Sequence, residues 1–257
     1  MAYFRRTGAT TFEPTDLVGG AWRTDEQHVA PTLGLLAHLV ETDRDARGRH
    51  DLALVRLSFD IWGTYRLETM ETAVRLIRPG RGVELVEAEV SCAGRRAVTL
   101  RAWLARTGDS AALEGGAPEP VPGPDATPAW DPTTVWPGAF VESIEVRRTA
   151  AEPGRGMVWV RTPHPLVADE EVSGTARAVG LLDVANGMSV RADPRDVAFP
   201  NLDLTAHLHR APAGEWLGLD TTVAFGATGA GLTSAVLHDA HGSFGASQQS
   251  LVVRARG

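Results

Sequence analysis

The sequence predicts an α+β protein that contains two copies of one strand–helix–strand unit. Residues 199–257 consist of alternating apolar and polar runs joined by turns rich in Gly and Pro, which is typical of an antiparallel meander. The same order of elements occurs in the first half of the chain. The turn RPGRG at 78–82 has a counterpart in ATGAG at 227–231. Repetition of one unit in this way indicates a duplicated domain.

The first half is predicted to hold one helix over residues 31–43. Leu33, Leu36 and Val40 recur at helical spacing. Pro31 suits the first helical position, where the missing N–H donor has no intrahelical partner in any case. After the helix, four strands are predicted from the runs LALVRLSFDIW, YRLETMETAVRLI, GVELVEAEVSC and AVTLRAWLA.

The second half repeats this plan, with a helix predicted over residues 173–190 and Ser173 as its N-cap. Asp183 interrupts the apolar run of this helix, and we interpret it as a structural hydrogen-bonding residue. Residues 111–135 are rich in Pro, Gly and Ala, which is the composition of a linker. The predicted domains are therefore residues 1–110 and 136–257.

Composition narrows the class of protein. The chain has 257 residues, of which 43% are hydrophobic and 22% charged, as in ordinary globular proteins, and no apolar run is long enough for a membrane helix. The net charge of −7 disfavours nucleic acid as a partner. A single cysteine, Cys92, cannot form an internal disulfide, so we expect a reducing, cytoplasmic location. All 25 basic residues are Arg, which excludes chemistry based on Lys.

Two polar residues near the end of the chain are candidates for a site. Gln249 falls in the same alternation phase as Leu251 and Val253, so its amide is predicted to face the core, where it needs a partner. Asp203 begins the run DLTAHLHR, and Leu204 belongs to the apolar phase of that strand. Strict alternation therefore places Asp203 and Gln249 on opposite faces of the sheet. Only a bulge, or a position beyond the helix end, would bring them together.

Three segments carry a resemblance to a known family. NLDLTAHLHR, the GEW turn at 214–216 and GASQQSLVVR resemble the tandem hotdog thioesterases related to acyl-CoA thioesterase II. The resemblance implies a double hotdog, with two curved antiparallel sheets that each wrap one long central helix. It also implies hydrolysis of an acyl-CoA thioester to a free acid and coenzyme A. Coenzyme A would be part of the substrate, no separate cofactor would be needed, and copies of the double hotdog would form a homo-oligomer.

The same resemblance implies a set of catalytic residues. The family aspartate matches Asp203, which would act as general base, and the family glutamine matches Gln249, which would orient the attacking water. The family threonine position is occupied by Ala224. Thr222, two residues earlier on the same face of the strand, is the candidate to replace that hydroxyl.

Substrate contacts are expected at the start of the first helix. Free backbone N–H groups at a helix N-terminus can stabilise an oxyanion, and the predicted donors are those of Thr32, Leu33 and Gly34. His28 lies just before this helix, where hotdog enzymes commonly present the turn that contacts their substrate.

Two other functions stay open. Because Ala224 stands at the threonine position, the chain could bind acyl-CoA or an acyl chain without catalysis. A hydratase acting on an enoyl-CoA would instead need an Asp–His pair close to the thioester. His207 and His209 have a spacing that suits zinc, but no third ligand can be identified, so no metal is predicted.

Overall fold

The computed structural model describes residues 1–256 and is dominated by β-strands. Its helices are α1 Val29–Ala46, α2 Ala139–Glu142, α3 Gly174–Val179 and α4 Ala185–Met188. The strands are β1 Phe4–Arg6, β2 Thr11–Pro14, β3 Leu52–Ile61, β4 Met70–Arg78, β5 Val83–Cys92, β6 Arg95–Arg106, β7 Ala129–Trp130, β8 Glu145–Glu152, β9 Arg155–Arg161, β10 Val197–Ala198, β11 Asp203–Leu208, β12 Leu217–Phe225, β13 Ala230–Asp239, β14 Gly242–Val252 and β15 Arg254–Ala255.

Thirteen of these strands form one antiparallel sheet, in the order β1-β2-β4-β5-β6-β3-β11-β14-β13-β12-β9-β8-β7. From the centre of the sheet outward, the strands follow the order β3, β6, β5, β4 on one side and β11, β14, β13, β12 on the other. Each strand of the first half therefore has a counterpart in the second half at the same distance from the centre. The two sides join through β3 and β11, where Phe59 lies opposite Leu204 and Leu57 opposite Ala206. The duplication is thus visible in the strand order, while the predicted pair of separate sheets is replaced by a single sheet. The reason is that β3 and β11 each have an unpaired edge, and each satisfies the backbone groups of the other.

Helix α1 is longer than predicted and almost entirely buried. It begins at Val29 because the side chain of His28 accepts a hydrogen bond from the backbone N–H of Ala30 and so caps the helix. Consecutive residues from Ala30 to Glu41 are buried. The helix packs against β5 and β6 on one side and α3 on another, so no part of its middle faces solvent.

The second predicted helix is divided into three parts. Helix α3 ends at Val179, a 3₁₀ turn covers Leu182–Val184, and α4 follows directly. Gly180 lies at the break after α3; glycine is about 1 kcal/mol less favourable than Ala inside a helix. The expected second long central helix is therefore wrong. The breaks leave short helical segments whose ends bring polar side chains toward the interior.

Close backbone contact holds the two helical layers together. A Cβ atom added to Gly34 of α1 would lie 2.8 Å from Cα of Gly180 and 2.9 Å from the carbonyl oxygen of Ala176. No side chain fits between these backbones, so only glycine allows α1 and α3 to cross here. The boundaries of the two domains, residues 110 and 136, stay a prediction. None of the described helices combines the length and apolar character needed to cross a membrane.

The helix crossing generates a test of the fold. Gly34→Val forces two backbones apart, and overpacking of this kind costs about 1–3 kcal/mol. We expect the melting temperature to fall by roughly 2–4 °C for each kcal/mol, as measured by thermal denaturation followed by circular dichroism. Gly108→Val is the matched control, because no atom lies within 4 Å of a Cβ added there. Equal melting temperatures for both variants would contradict the crossing.

Candidate active site

A buried carboxylate occupies the point where the second helix is broken. Asp183 lies in the 3₁₀ turn Leu182–Val184 and is only 6% exposed. Its Oδ1 atom accepts hydrogen bonds from Nδ2 of Asn201 at 2.7 Å and from Nε2 of Gln249 at 3.0 Å. Two side-chain amides therefore fix one carboxylate oxygen and leave Oδ2 free for another partner.

The two amides reach Asp183 from β14 and from the segment that leads into β11. Gln249 lies on the core face of β14, is 1% exposed, and fulfils the prediction that its amide faces the interior. Asn201 precedes β11 and forms an isolated bridge with Leu251 of β14. That bridge is out of register with the pairing of Thr205 and Gln248 further along, so the start of β11 is irregular. The irregularity allows the side chain of Asn201 to turn toward Asp183.

His28 approaches Asp183 from the first half of the chain. Its Nδ1 atom lies 3.8 Å from Oδ2 of Asp183, and its ring packs on Phe140 at a centroid distance of 4.3 Å. Because Nδ1 accepts the hydrogen bond of the Ala30 N–H, the proton of the neutral ring is on Nε2. Burial lowers the pKa of His28 to about 4, so the ring is neutral near pH 7 and its contact with Asp183 is not an ion pair.

Burial acts in the opposite direction on the carboxyl group. The pKa of Asp183 is raised to about 6 by desolvation, and the hydrogen bonds from Asn201 and Gln249 limit the rise because they favour the ionised form. Asp183 is therefore mostly ionised at neutral pH, yet it is a stronger base than an exposed aspartate. A pKa in this range suits a general base.

The site opens into a cavity of about 290 Å³. Its walls are mainly aromatic and aliphatic, which is the usual make-up of a small-molecule site. The polar lining includes His28, Asp183, Asn186 and Asn201, together with Arg23, Glu26, Gln27, Thr64 and Arg254. The apolar lining includes Trp22, Ile61, Trp62, Tyr65, Trp136, Val141, Met188 and Leu202. A larger groove of about 430 Å³ runs beside α3 between Glu170 and Trp216, but neither His28 nor Asp183 lines it. The smaller cavity is therefore the candidate active site.

Asp203, the predicted general base, is not part of this cluster. It pairs with Asp60 across β3 and shares the outer face of the sheet with that exposed residue, whereas Gln249 lies on the core face. Its Oδ1 atom accepts a hydrogen bond of 2.6 Å from the backbone N–H of Ser250. The predicted convergence of Asp203 and Gln249 is therefore wrong, because the carboxylate of Asp203 satisfies the strand backbone instead. The carboxylate that Gln249 contacts is Asp183.

Thr222 is also remote from the site. It lies on the outer face of β12 and is exposed, so it supplies no hydroxyl to Asp183. Sequence analysis does not identify Asn201, whose amide donates a hydrogen bond to the carboxylate of Asp183. A polar residue within the apolar run LLDVAN was the sequence feature that could have identified Asp183.

The predicted oxyanion donors lie too far along α1. Because the helix begins at Val29, the N–H groups of Thr32, Leu33 and Gly34 fall beyond its free first turn. Thr32 accepts a hydrogen bond from Tyr65 at 2.9 Å, and Leu33 is a core residue with no exposed surface.

The first turn of α1 retains one free donor. His28 occupies the N–H of Ala30, and Pro31 has none. No hydrogen bond from the N–H of Val29 is found within residues 1–256, and Val29 lines the cavity. Of the four residues predicted to contact substrate here, His28 reaches the site, and Val29, which was not predicted, lines the cavity beside it.

No cluster of three or more His, Cys, Asp and Glu side chains suited to a metal ion occurs among residues 1–256.

Comparison with known proteins assigns the chain to a family. A family model described as the acyl-CoA thioesterase N-terminal domain matches residues 18–105, and one described as the acyl-CoA thioesterase C-terminal domain matches residues 116–253. The chain belongs to the acyl-CoA thioesterase family. No curated protein matches the sequence.

Solved structures show the same fold over nearly the whole chain. A hotdog-fold protein of unknown function from Alicyclobacillus acidocaldarius has a TM-score of 0.77 and 12% identity, covering 98% of this chain and 96% of its own. An acyl-CoA thioesterase II, TesB2, from Mycobacterium marinum has a TM-score of 0.67 and 17% identity, with coverage of 99% and 96%. A candidate thioesterase from Novosphingobium aromaticivorans has a TM-score of 0.73 and 20% identity, with coverage of 98% of both chains. The chain therefore has a hotdog fold.

The cluster around Asp183 can be tested without any substrate. With ¹³C-labelled aspartate, nuclear magnetic resonance should show one carboxyl group titrating with a pKa of about 6. Gln249→Leu should raise this pKa further, since it removes a hydrogen bond to the ionised form. Gln248→Leu, at the neighbouring exposed position of β14, is the matched control and should leave the titration unchanged. A Gln249→Leu protein with an unaltered titration would disprove the contact.

Proposed function

We propose that this protein hydrolyses acyl-CoA thioesters to a free acid and coenzyme A, with Asp183 as the general base. The observation that carries the proposal is the buried carboxylate of Asp183, which two amides hold by Oδ1 while Oδ2 lies beside His28 at the cavity. Membership of the acyl-CoA thioesterase family supports the choice of substrate.

The reaction needs a nucleophile of adequate strength. A water molecule at Oδ2 of Asp183 transfers a proton to the carboxylate as its oxygen attacks the thioester carbonyl carbon. The fixed position of Oδ1 restricts rotation of the carboxyl group, so Oδ2 is aimed in one direction. Asn201 and Gln249 therefore act on the water through Asp183.

Negative charge that develops on the carbonyl oxygen also needs a partner. The N–H of Val29 is available at the start of α1, and the dipole of this 18-residue helix is positive at that end. When the tetrahedral intermediate collapses, the carbon–sulfur bond breaks and the thiolate of coenzyme A leaves. The proton held by Asp183 then passes to the sulfur, which restores the carboxylate for the next turnover.

The role of Asp183 can be separated from that of Asp203 by one type of substitution. Asp183→Asn should lower kcat by roughly 10²-fold or more, because an amide does not accept a proton near neutral pH. Asp203→Asn should change kcat by less than about threefold, since its side chain contacts only the strand backbone on the outer face. Thiol release from a panel of acyl-CoAs measures both. The reverse ranking of the two variants would refute the assignment.

The pH dependence follows from the pKa of Asp183. The base must be ionised, so kcat/KM should rise as pH increases through about 6 and then level off. Protonated Asp183 below this pH cannot accept the proton of water. Initial rates between pH 4.5 and 8.5 on one acyl-CoA test this, with circular dichroism at each pH to verify folding. A rate that is constant across that interval would exclude a base with this pKa.

A second candidate function rests on the proximity of His28 and Asp183. One residue from each half of the chain faces the cavity, and an Asp–His pair beside a thioester is what addition of water to an enoyl-CoA requires. Loss of the enoyl absorbance without release of thiol would identify this reaction. Binding of acyl-CoA with neither change would instead identify a non-catalytic binding protein. Homo-oligomerisation stays a prediction that light scattering can test.

A further inference from the structure

Asn186 presents to the cavity an amide that has no hydrogen-bond partner among residues 1–256. It belongs to α4, is 8% exposed and lines the same cavity as Asp183. Within residues 1–256 its side-chain amide makes no hydrogen bond, in contrast to the amides of Asn201 and Gln249, which both donate to Asp183. The polar atoms of this amide stay accessible from the cavity, so a ligand that displaces water there must replace the hydrogen bonds that the water made.

The position of Asn186 shows which part of a ligand it meets. Two of the residues that line the cavity, Trp62 and Leu202, are 59% and 54% exposed. Trp136 is 4% exposed, and its Nε1 donates a hydrogen bond of 2.7 Å to the carbonyl oxygen of Gly187, the residue that follows Asn186. Asn186, at 8% exposed, therefore belongs to the more buried part of the lining. Coenzyme A carries charged phosphates that favour the solvent-exposed part, so the acyl group is expected in the more buried part.

The distance between Asn186 and Asp183 determines which carbons of the acyl chain the amide of Asn186 can contact. Asp183 and Asn186 are three residues apart in a continuous helical stretch, and such residues have Cβ atoms about 5–6 Å apart. The amide therefore lies beside the acyl carbons that follow the thioester carbonyl. A carboxamide both donates and accepts hydrogen bonds, so it can pair with a hydroxyl group or an oxo group on those carbons.

We propose that Asn186 makes this site selective for acyl-CoA thioesters that carry a hydroxyl or oxo group within the first few carbons of the acyl chain. Asn186 is a specificity-determining residue, while Asp183 performs the hydrolysis. This inference rests on the proposed function for its reaction and on the unpartnered amide for its selectivity. A site built to hydrogen-bond a substrate oxygen discriminates strongly against the analogue that lacks it, because its polar group is then left unpaired.

The experiment compares butyryl-CoA with 3-hydroxybutyryl-CoA in the wild-type protein and in Asn186→Leu. The wild-type protein should have a kcat/KM at least about tenfold higher for the hydroxylated substrate. Asn186→Leu should remove this preference by lowering kcat/KM for 3-hydroxybutyryl-CoA while leaving that for butyryl-CoA equal or higher. Asn186→Ser, whose hydroxyl also donates and accepts, should retain part of the preference. The melting temperature of Asn186→Leu should not fall, since no hydrogen bond within the protein is lost.

Three results would overturn the inference. A wild-type protein without preference would do so, as would an equal loss on both substrates, because the amide would then contact the pantetheine arm. A clear drop in the melting temperature of Asn186→Leu would show that the residue is structural. If no acyl-CoA releases thiol, the proposed function fails by itself. Calorimetric binding of the two corresponding thioethers, which cannot be hydrolysed, then still decides whether Asn186 confers the preference.

Discussion

The pairing of β3 with β11 is the interaction on which the site depends. It joins the two halves into one sheet and fixes the first half relative to the second. The contact between Gly34 and Gly180 fixes the helical layer in the same way, because the two backbones touch. His28 and Val29 come from the first half, whereas Asp183 comes from the second. The relative positions of these residues therefore depend on how rigidly the two halves are joined. The junction consists of the hydrogen-bonded pair β3–β11 and the backbone contact between Gly34 and Gly180, and both restrict relative movement of the halves.

The burial of Asp183 connects the function of the protein with its stability. Its pKa in the folded protein is about 6, above that of an exposed aspartate, so folding favours the protonated form. At low pH this group increases the free energy of unfolding, and the increase is lost as pH rises through about 6. At neutral pH the protein therefore holds an ionised carboxylate in an environment that disfavours it. The hydrogen bonds from Asn201 and Gln249 offset part of that penalty. The desolvation cost that remains raises the pKa, which makes Asp183 a stronger base than an exposed aspartate.

Alternation of side chains predicted more of the site than the resemblance did. The period of two placed Gln249 inside and Asp203 outside, and both positions are as the structure has them. The pairing of these two residues came from matching the sequence to a family pattern, and it conflicted with the alternation from the start. A conflict of this kind indicates that another residue holds the role. Asp183 was the remaining carboxylate in an apolar run, and carboxylates are rarely buried unless they are paired.

Other features depended on long-range contacts that a single sequence does not reveal. The duplication and the first helix followed from repetition and periodicity, but the length of α1 depends on His28 as its cap. The break in the second helix depends on Gly180, which is needed for contact with Gly34 from the other half. Similarly, Asn201 reaches Asp183 only because the register at the start of β11 is irregular. Each of these depends on residues distant in sequence.

The two halves share a frame but differ in chemistry. Gly34 and Gly180 contact each other and each precedes a Leu-Leu pair, so they occupy corresponding positions. The residue three positions after this glycine is Ala37 in the first half and Asp183 in the second. Ala37 is fully buried and has no group that could activate water. The duplicated frame therefore holds one carboxylate where symmetry would allow two. The first half supplies the start of α1 and the second half supplies the carboxylate of Asp183, so the proposed mechanism requires both halves.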